Sequence, residues 1–327
     1  MSHSEQTMIA FGPVPSRRLG RSLGINNIPP KSCSYSCIYC QVGPTVQREI
    51  EPRRFYEPRV IVQAVTDQVK AAQAAGEKID YLTFVPDGEP TLDVNLGKVI
   101  DLLRPLSLKI AVISNASLVR REDVHQMLCK ADWVSLKVDT VVESEWRRIN
   151  QPHPQLQLTE ILHGIQQFAE NYSGTLATET MLVGGVNDNS QSVAKVSEFL
   201  ASIAPHTAYL AAPTRPPAQQ NVHVPGEDTM VQAYSIMSSK LENVQYLIGY
   251  EGDSFSAVGD PIRDLLAITS VHPMREEAVR QFLSKAGLPW DVVLTLLDQG
   301  ALKEIFFAGN RFYIRPIEAK KQSLDPT

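Results

Sequence analysis

The amino-acid sequence predicts an α/β fold, in which a partial (β/α)6 TIM-like barrel is followed by a small winged-helix-like domain. Strand-like apolar runs alternate with amphipathic helical stretches from residue 22 to about residue 212. Strands that are apolar on both faces and alternate with helices are typical of a buried parallel sheet. From residue 259 onward the pattern changes to three short helices and a hairpin. We therefore expect a barrel domain at 1–258, a winged-helix-like domain at 259–316 and a disordered tail at 317–327.

Six β-rich runs predict the barrel strands, and five amphipathic stretches predict the helices between them. The strands are expected at residues 22–28, 81–85, 109–114, 133–138, 177–183 and 207–212. The helices are expected at 60–75, 96–103, 121–130, 156–169 and 192–203. A further helix at 230–240 and a strand at 244–248 complete the domain. Six units rather than eight indicate an open or partial barrel.

Polar and glycine-rich motifs follow the ends of these strands. They lie at residues 33–40, 87–91, 115–117, 139–140, 184–188 and 214–217. In barrels of parallel strands, the loops at the C-terminal ends of the strands build the active site. The sequence therefore predicts one site at this rim.

The C-terminal segment suggests three helices at residues 262–268, 275–286 and 289–298 and a hairpin at 302–307 and 311–314. The recognition helix of such a domain, 289–300, contains Asp291 and Asp298 but no lysine or arginine. A helix that enters a DNA groove needs basic and amide side chains. We therefore expect this domain to dock a protein or a substrate and do not expect it to bind DNA.

Composition excludes several classes of protein. Hydrophobic residues make up 43% and charged residues 20% of the 327 residues, which is typical of a globular protein. The net charge of −5 argues against a broad footprint for DNA or an anionic membrane. No signal peptide and no apolar stretch of membrane-spanning length is visible. The sequence thus predicts a cytoplasmic protein without a membrane partner.

Three of the four cysteines, Cys33, Cys37 and Cys40, form the pattern CxxxCxxC. Because disulfides are not expected in the cytosol, clustered cysteines indicate metal binding or redox chemistry. A cubane has four irons, so three thiolates leave one iron able to bind a small molecule. The fourth cysteine, Cys129, lies in a helical stretch, and we expect it to be a small buried residue.

Zinc is the alternative metal. A structural zinc ion takes four protein ligands. The chain offers no fourth cysteine nearby, and the next histidine after His3 is His125. A catalytic zinc with three ligands stays open, but the spacing favours an iron–sulfur cluster.

The cysteine motif, with Tyr39 before its last cysteine, resembles the signature of the radical S-adenosylmethionine (SAM) superfamily. Residues 11–24, which lead into it, resemble the bacterial and archaeal relatives of the wyosine-synthesising tRNA enzymes. The resemblance covers roughly residues 10–255. It implies a [4Fe–4S] cluster on the three cysteines and SAM on the open iron. It also implies reductive cleavage of SAM to a 5′-deoxyadenosyl radical, with an electron donor of the flavodoxin or ferredoxin type.

The resemblance also implies a SAM pocket. The segment 88–90 matches a GGEP-type motif in which Asp87 replaces the first glycine. Ser135, Lys137 and Asp139 share one face of a strand; alternatively, Lys137 and Asp139 pair with each other. Glu179 either faces the lumen or forms a structural ion pair. The expected SAM-binding residues are Tyr39, Gly88, Glu89, Pro90, Ser114, Asn115, Ser135, Lys137, Asp139, Val183 and Gly184.

For the substrate, we expect Arg17, Arg18, Arg215 and Glu251 to meet over the barrel mouth, where arginine would recognise phosphate or carboxylate. The alternative is that these arginines are solvated surface residues. The wyosine enzymes carry further cysteines that this chain lacks, so we expect another substrate. This substrate is a small molecule, a protein or an RNA. Two alternative functions remain, namely modification of an RNA base and an iron–sulfur or SAM-sensing regulator that uses the winged helix.

Overall fold

The structure, a computed structural model, describes residues 9–45, 47–248, 255, 257 and 260–316. Its main element is an eight-stranded sheet in which the strands are neighbours in sequence order. The strands are β1 (Ala10–Ser16), β2 (Gly20–Ile25), β3 (Tyr81–Phe84), β4 (Lys109–Ser114), β5 (Trp133–Lys137), β6 (Thr175–Met181), β7 (Thr207–Ala211) and β8 (Val244–Leu247). From β2 to β8 all pairs are parallel. The sheet curls into the predicted partial barrel.

Helices connect the parallel strands. They are α1 (Pro58–Ala74), α2 (Leu96–Leu103), α3 (Glu122–Leu128), α4 (Glu143–Asn150), α5 (Leu158–Asn171), α6 (Ser190–Ile203) and α7 (Glu227–Ser238). Their apolar faces and the strands form the main core, in which Leu82, Val134 and Phe168 are fully buried. This core holds the strands in register, so that the loops at their C-terminal ends meet at one rim.

Two elements of the barrel were not predicted. Strand β1 contains Pro13 and Pro15 and pairs antiparallel with β2. Proline cannot donate to a ladder, but an edge strand tolerates it. Helix α4 is short and charged, and only Trp146 and Ile149 give it an apolar face.

The turn between β1 and β2 lies at the N-terminal ends of the parallel strands, because Ser16 is paired with Gly20. Leu19 of this turn is 3% exposed and packs inside the barrel against Trp133 and Tyr209. The interior is therefore filled near this end, and open space remains toward the C-terminal rim.

The C-terminal unit has the three predicted helices and the predicted hairpin. Its elements are α8 (Pro261–Val271), β9 (Met274–Arg275), α9 (Glu276–Lys285), α10 (Asp291–Asp298), β10 (Lys303–Phe307) and β11 (Asn310–Ile314). The short strand β9, which was not predicted, pairs with β11. Phe11 and Val14 of β1 belong to the core of this unit, so the unit packs on the edge strand of the barrel. Its resemblance to a winged helix, and the domain boundaries, stay predictions.

Two predictions concern segments outside the described residues, namely the placement of Glu251 and the disorder of 317–327. Within the described ranges, none of the helices combines the length and the apolar character that crossing a bilayer requires.

Candidate functional site

A cavity of about 270 Å³ opens at the C-terminal ends of the strands and is lined by all three clustered cysteines. Cys33, Cys37 and Cys40 lie on the loop that follows β2. The rest of the lining comes from the cysteine loop itself, from loops or strand ends of β3 to β8, from Arg17 and Arg18, and from Val271. The expected single site at this rim is thus present.

The cysteine loop is fixed to the loop that follows β3. Lys31 N donates to Asp87 O at 2.7 Å, and Glu89 N donates to Ser32 O at 2.9 Å. A Cβ atom on Gly88 would lie 2.0 Å from Ser32 O, so only glycine permits this approach. The two loops therefore form one rigid unit.

Glu89 connects this unit to β4. Its Oε1 accepts hydrogen bonds from Thr91 Oγ1 and Ser114 Oγ, and its Oε2 accepts one from Asn115 N at 2.7 Å. The side chain is 1% exposed. Burial raises the pKa of Glu89, and the bonds from Thr91, Asn115 and Ser114 oppose this rise. Glu89 thus acts as a buried clamp in the cavity wall.

Each sulfur of the cysteine cluster has a polar neighbour. Asn115 Nδ2 donates to Cys33 Sγ at 3.6 Å, and Asn150 Nδ2 donates to Cys37 Sγ at 3.4 Å. Burial is the main cause that raises the pKa of all three thiols, that of Cys37 to about 12. For Cys40, the positive charge of Lys31 opposes the rise. Metal binding requires thiolates, so loading the site is expected to release protons.

The cysteines fit a cluster with several irons. They line one cavity, they are half-buried, and two of them accept amide hydrogen bonds, as cluster thiolates do. Among the residues that the structure describes, no three His, Cys, Asp or Glu side chains converge on a single metal ion.

Charged residues occupy the barrel lumen next to the cysteines. Lys137 Nζ donates to Glu179 Oε1 at 2.7 Å, and Arg18 forms an ion pair with the same carboxylate. Burial alone would raise the pKa of Glu179, but the charges of Lys137 and Arg18 hold it at about 2. Glu179 therefore forms an ion pair, and the alternative pairing of Lys137 with Asp139 is wrong.

Asp139 serves another contact. It accepts hydrogen bonds from the hydroxyl of Tyr39, from Asn150 Nδ2 at 2.7 Å and from Met181 N at 3.0 Å. The carboxylate thus holds Tyr39, which precedes the last cysteine, against β6.

The expected SAM-binding residues divide into two groups. Those that line the cavity are Tyr39, Gly88, Glu89, Ser114, Asn115 and Lys137. The others, which are absent from its lining, are Pro90, Ser135, Asp139, Val183 and Gly184. Ser135 is fully buried deeper in the barrel, and its hydroxyl has no hydrogen-bond partner. Val183 packs beside Tyr39 in a small apolar cluster.

The expected substrate residues do not all meet at the mouth. Arg17 and Arg18 lie in the turn at the opposite end of the strands and reach the cavity through the lumen. Their expected position is wrong because β1 and β2 form a hairpin that reverses the chain. Arg215 does lie at the mouth, where its Nη1 donates to Gln41 Oε1 at 2.5 Å. Gln41 in turn donates to Val271 O of the C-terminal unit at 3.2 Å.

Cys129 is exposed, so its expected burial is wrong. It caps the C-terminal end of α3, and the apolar face of that helix is formed by Val124 and Leu128.

Among the residues that the sequence analysis missed are Lys31, Gln41 and Asn150, whose polar side chains lie beside the cysteines or the cavity. Lys31 and Gln41 flank the cysteine motif closely, and this proximity was the available signal. Asn150 belongs to the helix that was not predicted, and its contact with Cys37 spans 113 residues.

Comparisons with known proteins identify the family of this chain. The sequence model described as the Radical SAM superfamily matches residues 27–200. A UPF0026 protein of Methanocaldococcus jannaschii is 44% identical over 318 residues, which is 97% of this chain and 98% of that protein.

Solved structures with this fold include the following two. A structure of TYW1 with a lysine-pyruvate adduct bound matches with a TM-score of 0.55 and 16% identity, covering 68% of this chain and 76% of that one. Streptococcus suis SuiB bound to S-adenosylmethionine matches with a TM-score of 0.52 and 11% identity, covering 69% of this chain and 51% of that one.

Proposed function

Since this chain belongs to the radical SAM superfamily, we propose that it cleaves SAM reductively and uses the resulting 5′-deoxyadenosyl radical to abstract hydrogen from a substrate. It is a radical SAM enzyme, and its cofactors are a [4Fe–4S] cluster and SAM. When bound, the cluster supplies the electron that breaks the sulfonium bond of SAM. The observation that carries the proposal is that Cys33, Cys37 and Cys40 line one cavity.

The roles of the protein residues follow from their contacts. The three cysteines would hold the cluster, and Asn115 and Asn150 donate to two of the sulfurs. Hydrogen bonds of this kind are among the factors that set the potential of a cluster.

Other residues shape the space for SAM. Glu89 fixes the loop that contains Gly88 and the end of β4 beside the cluster site. Lys137 and Glu179 face the cavity from the lumen together with Arg17 and Arg18, and they would orient polar groups of the two ligands. Filling of the cavity by SAM and the substrate would exclude water from the radical.

The test is anaerobic reconstitution with iron and sulfide, reduction with dithionite, addition of SAM and chromatography for 5′-deoxyadenosine. We expect the nucleoside from the native protein and its loss in Cys33→Ala, Cys37→Ala and Cys40→Ala. Cys129→Ala is the matched control, because Cys129 is exposed, and it should retain both iron and activity. Zinc in the native protein, or cleavage that survives the three substitutions, would contradict the proposal.

The physiological partner is proposed to be an electron donor of the flavodoxin or ferredoxin type. Reduced flavodoxin in place of dithionite should then support 5′-deoxyadenosine formation.

The C-terminal unit, which we interpret as winged-helix-like, is proposed to dock a protein or the substrate. The bonds from Arg215 to Gln41 and from Gln41 to Val271 support this role, because they join the unit to the mouth of the cavity.

A further inference from the structure

Lys31 and Asp87 carry buried polar atoms that the roles above do not use. Lys31 Nζ is buried and has no hydrogen-bond partner in the described structure. Asp87 is 4% exposed, and its Oδ1 also lacks such a partner there. Both residues line the cavity together with Cys33 and Cys40. Burial of unpaired polar groups costs free energy, so a ligand that satisfies them is favoured here.

The backbone fixes Lys31 in an uncommon conformation. Its φ angle is 67°, in the left-handed region, which costs a non-glycine residue about 1 kcal/mol or more. The hydrogen bond from Lys31 N to Asp87 O, 2.7 Å long, holds it there. Strained residues of this kind cluster at functional sites. The two side chains are therefore carried on a rigid, preorganised part of the rim.

The charge of the cavity lining differs from that of the whole chain. The chain has a net charge of −5, but the lining contains five lysine and arginine residues and three acidic ones. Glu179 is already neutralised by Lys137 and Arg18. Arg315 of the C-terminal unit adds a positive charge that acts on Asp87. On the side of Lys31, the charges of Lys31 and Arg315 both act on Asp87, so an anionic ligand there meets two positive charges and one acidic side chain.

We propose that Lys31 and Asp87 form a substrate subsite for an oxyanion, a carboxylate or a phosphate, that bears an O–H or N–H group. Lys31 Nζ donates to the oxyanion, and Asp87 Oδ1 accepts from the hydroxyl or amine. This subsite rests on the proposed function, because it holds the substrate next to the cluster cysteines. It deepens that function by naming the chemical class of the substrate.

The experiment is calorimetric titration of the reconstituted, SAM-loaded protein with inorganic phosphate, glycolate and acetate. Phosphate and glycolate carry both an oxyanion and a hydroxyl group, whereas acetate has no hydroxyl. We expect one site that binds phosphate or glycolate. Tighter binding of phosphate would indicate a phosphate substrate, and tighter binding of glycolate would indicate a carboxylate substrate. The Lys31→Met variant should bind at least tenfold more weakly, and Lys31→Arg should stay within a few-fold of the native protein.

Two further variants sharpen the test. Glycolate should bind more tightly than acetate to the native protein, and Asp87→Ala should abolish this difference. Lys70→Met, an exposed lysine on α1, is the control and should bind as the native protein does. Iron content and circular dichroism of each variant show whether it has folded and loaded.

Two results would overturn the subsite. One is that none of the three probes binds to the native protein. The other is that Lys31→Met binds them with unchanged affinity while the reduction potential of the cluster shifts, which would make Lys31 a counter-charge of the cluster. Anion binding needs no turnover, so a failure to form 5′-deoxyadenosine would contradict the proposed function without deciding this test.

Discussion

Asn150 donates a hydrogen bond from Nδ2 to the sulfur of Cys37 across 3.4 Å, and the same amide reaches Asp139 Oδ2 at 2.7 Å. Asn150 is the last residue of α4 and is 3% exposed. The contact therefore joins a helix at the rim to the cysteine loop and places a donor on a cluster ligand. Donors to the sulfurs stabilise the added negative charge of a reduced cluster.

We expect Asn150→Ala to move the reduction potential of the cluster to a more negative value. Asn115→Ala should do the same to a smaller extent, because its bond to Cys33 is longer, at 3.6 Å. The measurement is a redox titration of the reconstituted protein followed by electron paramagnetic resonance. Asn171→Ala, at the exposed end of α5, is the control. An unchanged midpoint in Asn150→Ala would show that this bond does not tune the cluster.

Glu89 is expected to be essential for the shape of the rim. Both carboxylate oxygens of Glu89 accept hydrogen bonds, which come from Thr91, Ser114 and Asn115. Glu89→Gln replaces one of these oxygens by an NH₂ group, which then faces a hydrogen-bond donor and cannot accept from it. Loss of a buried, charged acceptor costs about 2–3 kcal/mol of the free energy of unfolding. SAM affinity should fall as well, since the two loops beside the cluster lose their clamp. Urea unfolding and equilibrium binding of SAM measure the two effects.

The control for this change is Glu51→Gln, because the side chain of Glu51 is 82% exposed. It should alter neither the unfolding midpoint nor SAM binding. Equal stability of Glu89→Gln and the native protein would contradict the role of Glu89 as a clamp.

The lowered pKa of Glu179 predicts that the free energy of unfolding depends on pH. Its pKa in the folded protein is about 2, below its ordinary value of 4.5, because Lys137 and Arg18 outweigh the effect of burial. The stabilisation, roughly 3 kcal/mol, is therefore fully present above pH 4.5 and is lost as the pH falls toward 2. Glu179→Gln should be less stable than the native protein at pH 7, and the difference should shrink below pH 4.5.

The measurement is urea unfolding of the cluster-free protein between pH 7 and pH 3. Removing the cluster separates this effect from acid loss of iron. A difference between native and Glu179→Gln protein that stays constant over this range would show that the carboxylate is not held ionised by its neighbours.

Apolar periodicity was enough to predict the parallel strands. The bounds of β4 were predicted without error, and those of β3, β5 and β7 within one residue, because each is a short, mainly apolar or β-rich run followed by a polar motif. The cysteine pattern was also enough to predict that its three cysteines meet at one cavity, because they lie on one loop. Local patterns of this kind depend on neighbours in sequence.

What could not be predicted depends on contacts between distant residues. Arg18 is 161 residues from Glu179, and nothing in the local sequence pairs them. The reversal of the chain between β1 and β2 decides that Arg17 and Arg18 enter the barrel from its far end. Strand β1 itself contains two prolines; it pairs with β2, and its Phe11 packs into the core of the C-terminal unit.

That packing supports a last prediction. Phe11 is 3% exposed and lies in the core of the C-terminal unit. Its ring covers Gly24 of β2, because a Cβ atom on Gly24 would lie 2.0 Å from Phe11 Cζ. Truncation of a buried phenylalanine costs about 3–5 kcal/mol, so Phe11→Ala should lower the stability of the contact between the barrel edge and α8. Hydrogen exchange should then speed up in α8 and β1 more than in β4. Phe306→Ala is the matched control, because Phe306 is 73% exposed in the same unit, and it should leave both rates unchanged. If Phe11→Ala and Phe306→Ala exchange alike, the C-terminal unit is held to the barrel by other contacts, such as the bond from Gln41 to Val271.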